Sequence, residues 1–113
     1  RVRQPFNCNN LALSAAAAAL DDHEFVARSY AANRAGMEQI VAGLKRLGCS
    51  HLPAHGNFVT FHVLDALTVN RKLLERGIIV RPLAGYRMPE HLRVTVGTES
   101  EIARFLTALE AAL

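Results

Sequence analysis

The sequence lacks any apolar run approaching the roughly 20 residues that span a bilayer. Its alanine tract, Ala15 to Ala19, is too short and has none of the leucine-rich character of a membrane span. No membrane partner is therefore expected. Cysteine is scarce: Cys8 and Cys49 stand far apart, with no C-x-x-C. With five scattered histidines they offer no zinc-ligand spacing, so no metal site is expected. Two buried free thiols in a reducing compartment, the cytoplasm, are the expectation. Charge of one sign is also modest. The net charge is +3 and the basic residues are spread out. A nucleic-acid footprint shows a clustered basic stripe, so no nucleic-acid partner is expected. No glycine-rich phosphate loop appears. No apolar leader follows Arg1 to Pro5 either. The chain starts without methionine, which reads as a fragment or a processed product.

What is present is a balanced globular composition, half hydrophobic and one-fifth charged over 113 residues. That supports one domain with a real core, residues 1–113. Asn7, Asn9 and Asn10 mark a turn and an N-cap. Leu11 to Leu20 then predicts a helix whose small residues suit a tightly packed, buried position. Asp21 breaks it and, with Glu24 three residues on, resembles a capping box for a second helix. Val26, Tyr30, Met37, Ile40, Val41, Leu44 and Leu47 give that helix its apolar side, and Gly48 stops it.

After Gly48 the apolar period falls from about 3.6 to 2. Phe58 to Val63 reads as a strand. Ala66 to Arg76 reads as a short helix with Val69, Leu73 and Leu74 inward, ended by Gly77. Ile78 to Arg81 reads as a second strand closed by Pro82. The loop Leu83 to Pro89 follows, and His91 to Val96 is a third strand. In it Leu92, Val94 and Val96 share one face, while His91, Arg93 and Thr95 share the other. Thr98 and Glu101 form another capping box. The last helix then has Ile102, Phe105, Leu106, Leu109 and Leu113 as its buried stripe. The order predicts an α+β two-layer sandwich, a small, mostly antiparallel sheet covered by helices.

Arg93 lies in mid-strand between Leu92 and Val94, on a face open to solvent or to a ligand. A guanidinium matches a carboxylate in a two-pronged fork, so Arg93 is a candidate anion-binding residue. A surface strand arginine paired with an acid is the plainer alternative. Arg81 ends the preceding strand, either beside Arg93 at one sheet edge or as a surface charge. Tyr86 and Arg87 sit on the intervening loop, where binding residues concentrate. Asn57 either orients a ligand or satisfies a turn backbone. His62 and His91 read as packed or exposed strand residues. Lys45 and Lys72 are the two lysines, and both read as solvated helix residues. Ser14 and Ser29 have no histidine or acid at a telling spacing. No catalytic or cofactor-attaching residue is expected in this chain.

These residues fall into motifs. Arg1 to Ala12, R-V-R-Q-P-F-N-C-N-N-L-A, resembles the histidinol-phosphate aminotransferase pattern R-Q-P-F-N-x-N-S-x-A, with Asn10 in place of the serine. Gly56-Asn57-Phe58 resembles the family's A-N-F or G-N-F. Arg76 to Leu83 is similar to its R-G-V-I-V-R-P-L, and Pro89 to Thr98 to its P-x-x-L-R-I-T-V-G-T. The motifs run nearly end to end and in order; related class I and II aminotransferases share parts of them.

The resemblance implies the C-terminal small domain of a fold type I enzyme that depends on pyridoxal 5′-phosphate and works as a homodimer. The family transfers an amino group between histidinol phosphate and 2-oxoglutarate in histidine biosynthesis, so amino-acid and 2-oxo-acid substrates are implied. Arg93 would grip a substrate carboxylate and Arg81 a distal anion, with Asn57 and Tyr86 as further substrate-binding candidates. The Schiff-base lysine and most of the phosphate cradle would lie in a large domain absent from this chain. Three alternatives stay open: a stand-alone binding or regulatory module for a small dianion, a paralogue acting on aromatic amino acids, and a purely structural interaction domain.

Overall fold

The structure is a computed structural model that describes residues 6–113. Arg1 to Pro5, which open the first motif, lie outside the described residues. The chain divides into two compact units, Arg1–Ala31 and Ala32–Leu113.

In the first unit, helix α1 spans Asn10–Leu20. The Asn9 side chain caps it by accepting the Ala12 N–H at 2.8 Å. The cover expected for this helix is not supplied by the described residues: none of its own residues is buried, and Leu11 is 83% exposed. Apolarity shows that a helix favours cover, but a unit of helical segments has no second layer to provide it. Cys8, expected to be a buried thiol, is exposed. Helix α2 spans His23–Arg46. Its start is capped one residue later than expected, because Asp22 rather than Asp21 accepts the Phe25 N–H, at 2.9 Å. Val26 and Tyr30, read as part of its apolar side, are exposed.

The second unit holds the sheet and the core. From α2 it buries Gly36, Ile40, Gly43 and Leu44. Strand β1 spans Phe58–His62, helix α3 Ala66–Glu75, strand β2 Arg81–Pro82, strand β3 His91–Thr95 and helix α4 Glu99–Glu110. The three strands are antiparallel, in the order β1-β3-β2. Val59 and Phe61 of β1 and Leu92 and Val94 of β3 turn to the core side. There they pack with Ile40 and Leu44 of α2, Val69 and Leu73 of α3, and Ile102, Phe105 and Leu109 of α4. The α+β reading, with one sheet face covered by helices, is what the molecule shows.

Several boundaries move for local reasons. Strand β2 is two residues long rather than Ile78 to Arg81. Gly77, at φ 70°, ends α3 in a left-handed turn. The Ile78 N–H then donates to the Leu73 carbonyl and the Gly77 N–H to Leu74, both at 2.9 Å. This paired helix-terminal arrangement spends on α3 a donor that a longer strand would need. Leu74, read as inward, is half exposed, because Ala66, Val69 and Leu73 set the buried stripe one position away. Leu113 lies beyond the end of α4 and is 54% exposed, while Ala112 is buried in its stead. The outer edge of β1 is not bare. The Leu52 N–H donates to the Thr60 carbonyl and the His62 N–H to Ser50, both at 2.9 Å.

The capping box of α4 forms as read. The Glu101 carboxylate accepts the Thr98 N–H at 2.7 Å and its hydroxyl at 2.8 Å. The backbone N–H bond from Thr98, then its hydroxyl bond, holds the Glu101 carboxyl below the usual carboxylate range against a smaller desolvation effect. A lowered folded-state pKa gives stability that is present above the unfolded carboxyl pKa and lost as pH falls through the folded one. Urea titrations should therefore show the Glu101→Gln chain less stable at neutral pH and closer to the parent in acid. Thr98→Ala should cost about 1 kcal/mol. An equal gap for Glu101→Gln at both pH values would sink the linkage.

Candidate functional site

The register of the sheet sets the site. Arg81 and Arg93 are direct partners across β2 and β3, and Thr60 of β1 is the partner of Arg93 on the other side. Residues opposite one another in adjacent strands share a face. Thr60, Arg93 and Arg81 thus form one row on the sheet face away from the core, with Arg93 half-buried and Arg81 exposed. Like charges placed directly opposite repel. Among the described residues neither arginine has a carboxylate within ion-pair distance. The Arg93 guanidinium instead lies over the Phe58 ring, 4.8 Å from its centroid. Two arginines paired in register, neither with a carboxylate within ion-pair distance among the described residues, are candidates for binding an anion.

The other candidates are less concentrated. The Asn57 carbonyl accepts the Val96 N–H at 2.8 Å, which extends the β1–β3 ladder by one bond. Its side chain makes no hydrogen bond among the described residues, so it does not satisfy the turn backbone. Tyr86 sits in a single 3-10 turn, Ala84–Tyr86, and is 62% exposed. Arg87 follows at φ 61°, a left-handed conformation uncommon for a residue with a side chain. This bent loop joins the two strands that carry the arginines.

The same sheet face continues to a second group. The His62 ring meets Glu90 at 3.1 Å and lies edge-to-face with the His91 ring at 5.3 Å between centroids. Both histidines are half-buried, and His91 Nδ1 is a buried atom with no partner among the described residues. Alternation in β3 already placed His91 beside Arg93, two residues away on one face. The Phe58 contact carried no such sequence signal, because it joins strands distant in sequence.

The amines and the thiol lie elsewhere. Lys45 is on the exposed side of α2. Lys72, read as solvated, is half-buried and donates to the Ala112 carbonyl at 2.7 Å. Burial raises the Cys49 thiol above its ordinary pKa, which keeps it protonated and unreactive. Among the described residues no helix is long and apolar enough to cross a membrane.

Comparison with known proteins identifies the family. The sequence profile of aminotransferase class I and II matches residues 1–109. Histidinol-phosphate aminotransferase 1 of Dechloromonas aromatica is 69% identical over 113 residues, which cover 100% of this chain and 31% of that protein. The histidinol-phosphate aminotransferase of Methylobacillus flagellatus is 59% identical, again over 100% of this chain and 31% of its own length. The chain thus spans about a third of the curated relatives it matches. The crystal structure of the histidinol-phosphate aminotransferase from Clostridium acetobutylicum shares the fold, with a TM-score of 0.86 over 97% of this chain and 35% of that one, at 22% identity. The chain belongs to the class I and II aminotransferases.

Proposed function

We propose that this chain, residues 1–113, is the C-terminal small domain of a pyridoxal 5′-phosphate-dependent aminotransferase. The whole enzyme would transfer an amino group between histidinol phosphate and 2-oxoglutarate. The observation that carries the reading is the pair of arginines in direct register, without acidic partners among the described residues, in a chain 69% identical to a histidinol-phosphate aminotransferase. Arg93 would bind a substrate carboxylate through its fork, and Arg81 the more distal anion. Tyr86 and Asn57 would flank the same pocket from the loop and the start of β1. The enzyme would work in the cytoplasm as a homodimer, its large domain closing the other side of the pocket. The fractional coverage of the relatives supports a further domain, and the family motifs support the assembly.

The cofactor's aldehyde needs an amine, and its phosphate needs a cradle of donors. The amines here are Lys45, which is exposed, and Lys72, whose ammonium is bonded to a backbone carbonyl. Neither lies in the row of Arg81 and Arg93. This chain therefore fits the substrate side of the pocket and not the cofactor's attachment point. When bound, pyridoxal phosphate supplies the carbonyl and the electron sink for moving the amino group. The work of this chain is to hold the anionic ends of the substrate so that its reacting carbon is presented in one orientation.

Incubation of the isolated 113 residues with pyridoxal phosphate, borohydride reduction and peptide mass mapping test this reading. No stoichiometric adduct is expected. A site-specific adduct on Lys45 or Lys72 would mean that the chain carries its own attachment site, and the proposal would fall.

A further inference from the structure

We propose that Phe58 is a positioning residue for Arg93: its ring holds the guanidinium in place while leaving every N–H of the fork free for the substrate anion. The proposal rests on the reading of Arg93 as an anion-binding residue. Phe58 is 39% exposed, whereas Val59 and Phe61 in the same strand are fully buried in the core. An aromatic ring on the outer face has no packing duty toward the core. Its register partner is Thr95, so Arg93 is its diagonal neighbour, within reach of an aromatic side chain. The guanidinium carbon lies 4.8 Å from the ring centroid.

A carboxylate in that position would hold Arg93 equally well but would occupy its donors. A ring attracts the cation through its π face and takes no N–H. Arg81, directly opposite, repels the same charge. Without the ring, a long side chain in register with a like charge would spend much of its time turned away from the anion site. The ring is itself supported. The Asn33 amide donates to the Gly56 carbonyl at 3.1 Å, tying the start of β1 to α2. A Cβ added to Gly56 would stand 3.6 Å from the Phe58 ring, so that backbone lies alongside it. The line Asn33, Gly56, Phe58, Arg93 carries position from a helix to the arginine.

The test uses the full-length holoenzyme, with 2-oxoglutarate as the probe. Phe58→Leu should raise KM for 2-oxoglutarate about threefold to tenfold, with kcat held within about twofold. Phe58→Tyr, which keeps the ring, should restore KM. In an Arg93→Gln background Phe58→Leu should add nothing further. Should Phe58→Leu not accumulate, Asn33→Ala reads the same line from its other end, with a smaller rise in KM. An unchanged KM in these variants, while Arg93→Gln alone raises it, overturns the positioning role and leaves the proposed function standing. So does a Phe58→Tyr enzyme that behaves like Phe58→Leu, or a Phe58→Leu effect that persists without Arg93. An unchanged KM in Arg93→Gln itself overturns the anion-binding reading and this proposal with it.

Discussion

Arg93→Gln in the full-length enzyme should lower kcat/KM for 2-oxoglutarate by about 30-fold to 5,000-fold, the kinetic equivalent of about 2–5 kcal/mol. Truncating one partner of a desolvated charge pair costs this much because the other charge is left without its match. Arg93 has the attributes the estimate needs: it is half-buried, and no acid among the described residues competes for it. Arg93→Lys separates charge from geometry. It keeps the cation but loses the planar fork, so most of the loss should remain. A lysine enzyme within about threefold of the parent would show that a point charge suffices, and the fork argument would fail. Arg81→Gln should have a smaller effect, since that side chain is more exposed and its field is better screened.

Phe61→Ala should destabilise the chain by about 3–5 kcal/mol, the range for deleting a buried phenylalanine. Phe61 is fully buried, and its ring meets Phe105 of α4 edge-to-face at 5.9 Å. Its register partner, Leu92, is also fully buried, so the cavity would open between the sheet and α4. A domain of this kind holds only about 5–15 kcal/mol in total, so the loss is a large fraction of it. Urea titration followed by far-UV circular dichroism should show a clear drop in the midpoint. Phe58→Ala, three residues earlier in the same strand, provides the internal contrast. Its ring lies outside the core cluster, so its cost should be well below that of Phe61. A cost for Phe61→Ala below about 1 kcal/mol would mean that the core side of β1 has been misidentified.

The features readable in the sequence are those set by neighbours along the chain. The Thr98–Glu101 box, the alternation of Leu92, Arg93 and Val94, and the stops at Gly48 and Gly77 need only a few consecutive residues. The short β2 was hidden because the fate of the Ile78 N–H depends on how α3 ends, not on β-branching at Ile78 and Ile79. The cover of α1 was not legible because composition reveals a helix's preference for burial but not what meets it. The site divides the same way. Arg81 and Arg93 could each be named from local pattern and motif. Their direct opposition required the register, and the Phe58 contact required a residue about 35 positions away in sequence to arrive on the diagonal.

The edges of this sheet also restrict how the chain can meet other molecules. On one side, Ser50 and Leu52 already use the outward hydrogen-bonding groups of Thr60 and His62. On the other, β2 offers two residues, one of them a proline with no N–H to give. An extended peptide, or a second copy of the chain, would find little ladder to continue on either flank. Strand addition and edge-to-edge fibre growth are both disfavoured by this arrangement. A ligand on the outer face of the sheet meets side chains instead, which leaves the backbone register, and with it the pairing of the two arginines, undisturbed.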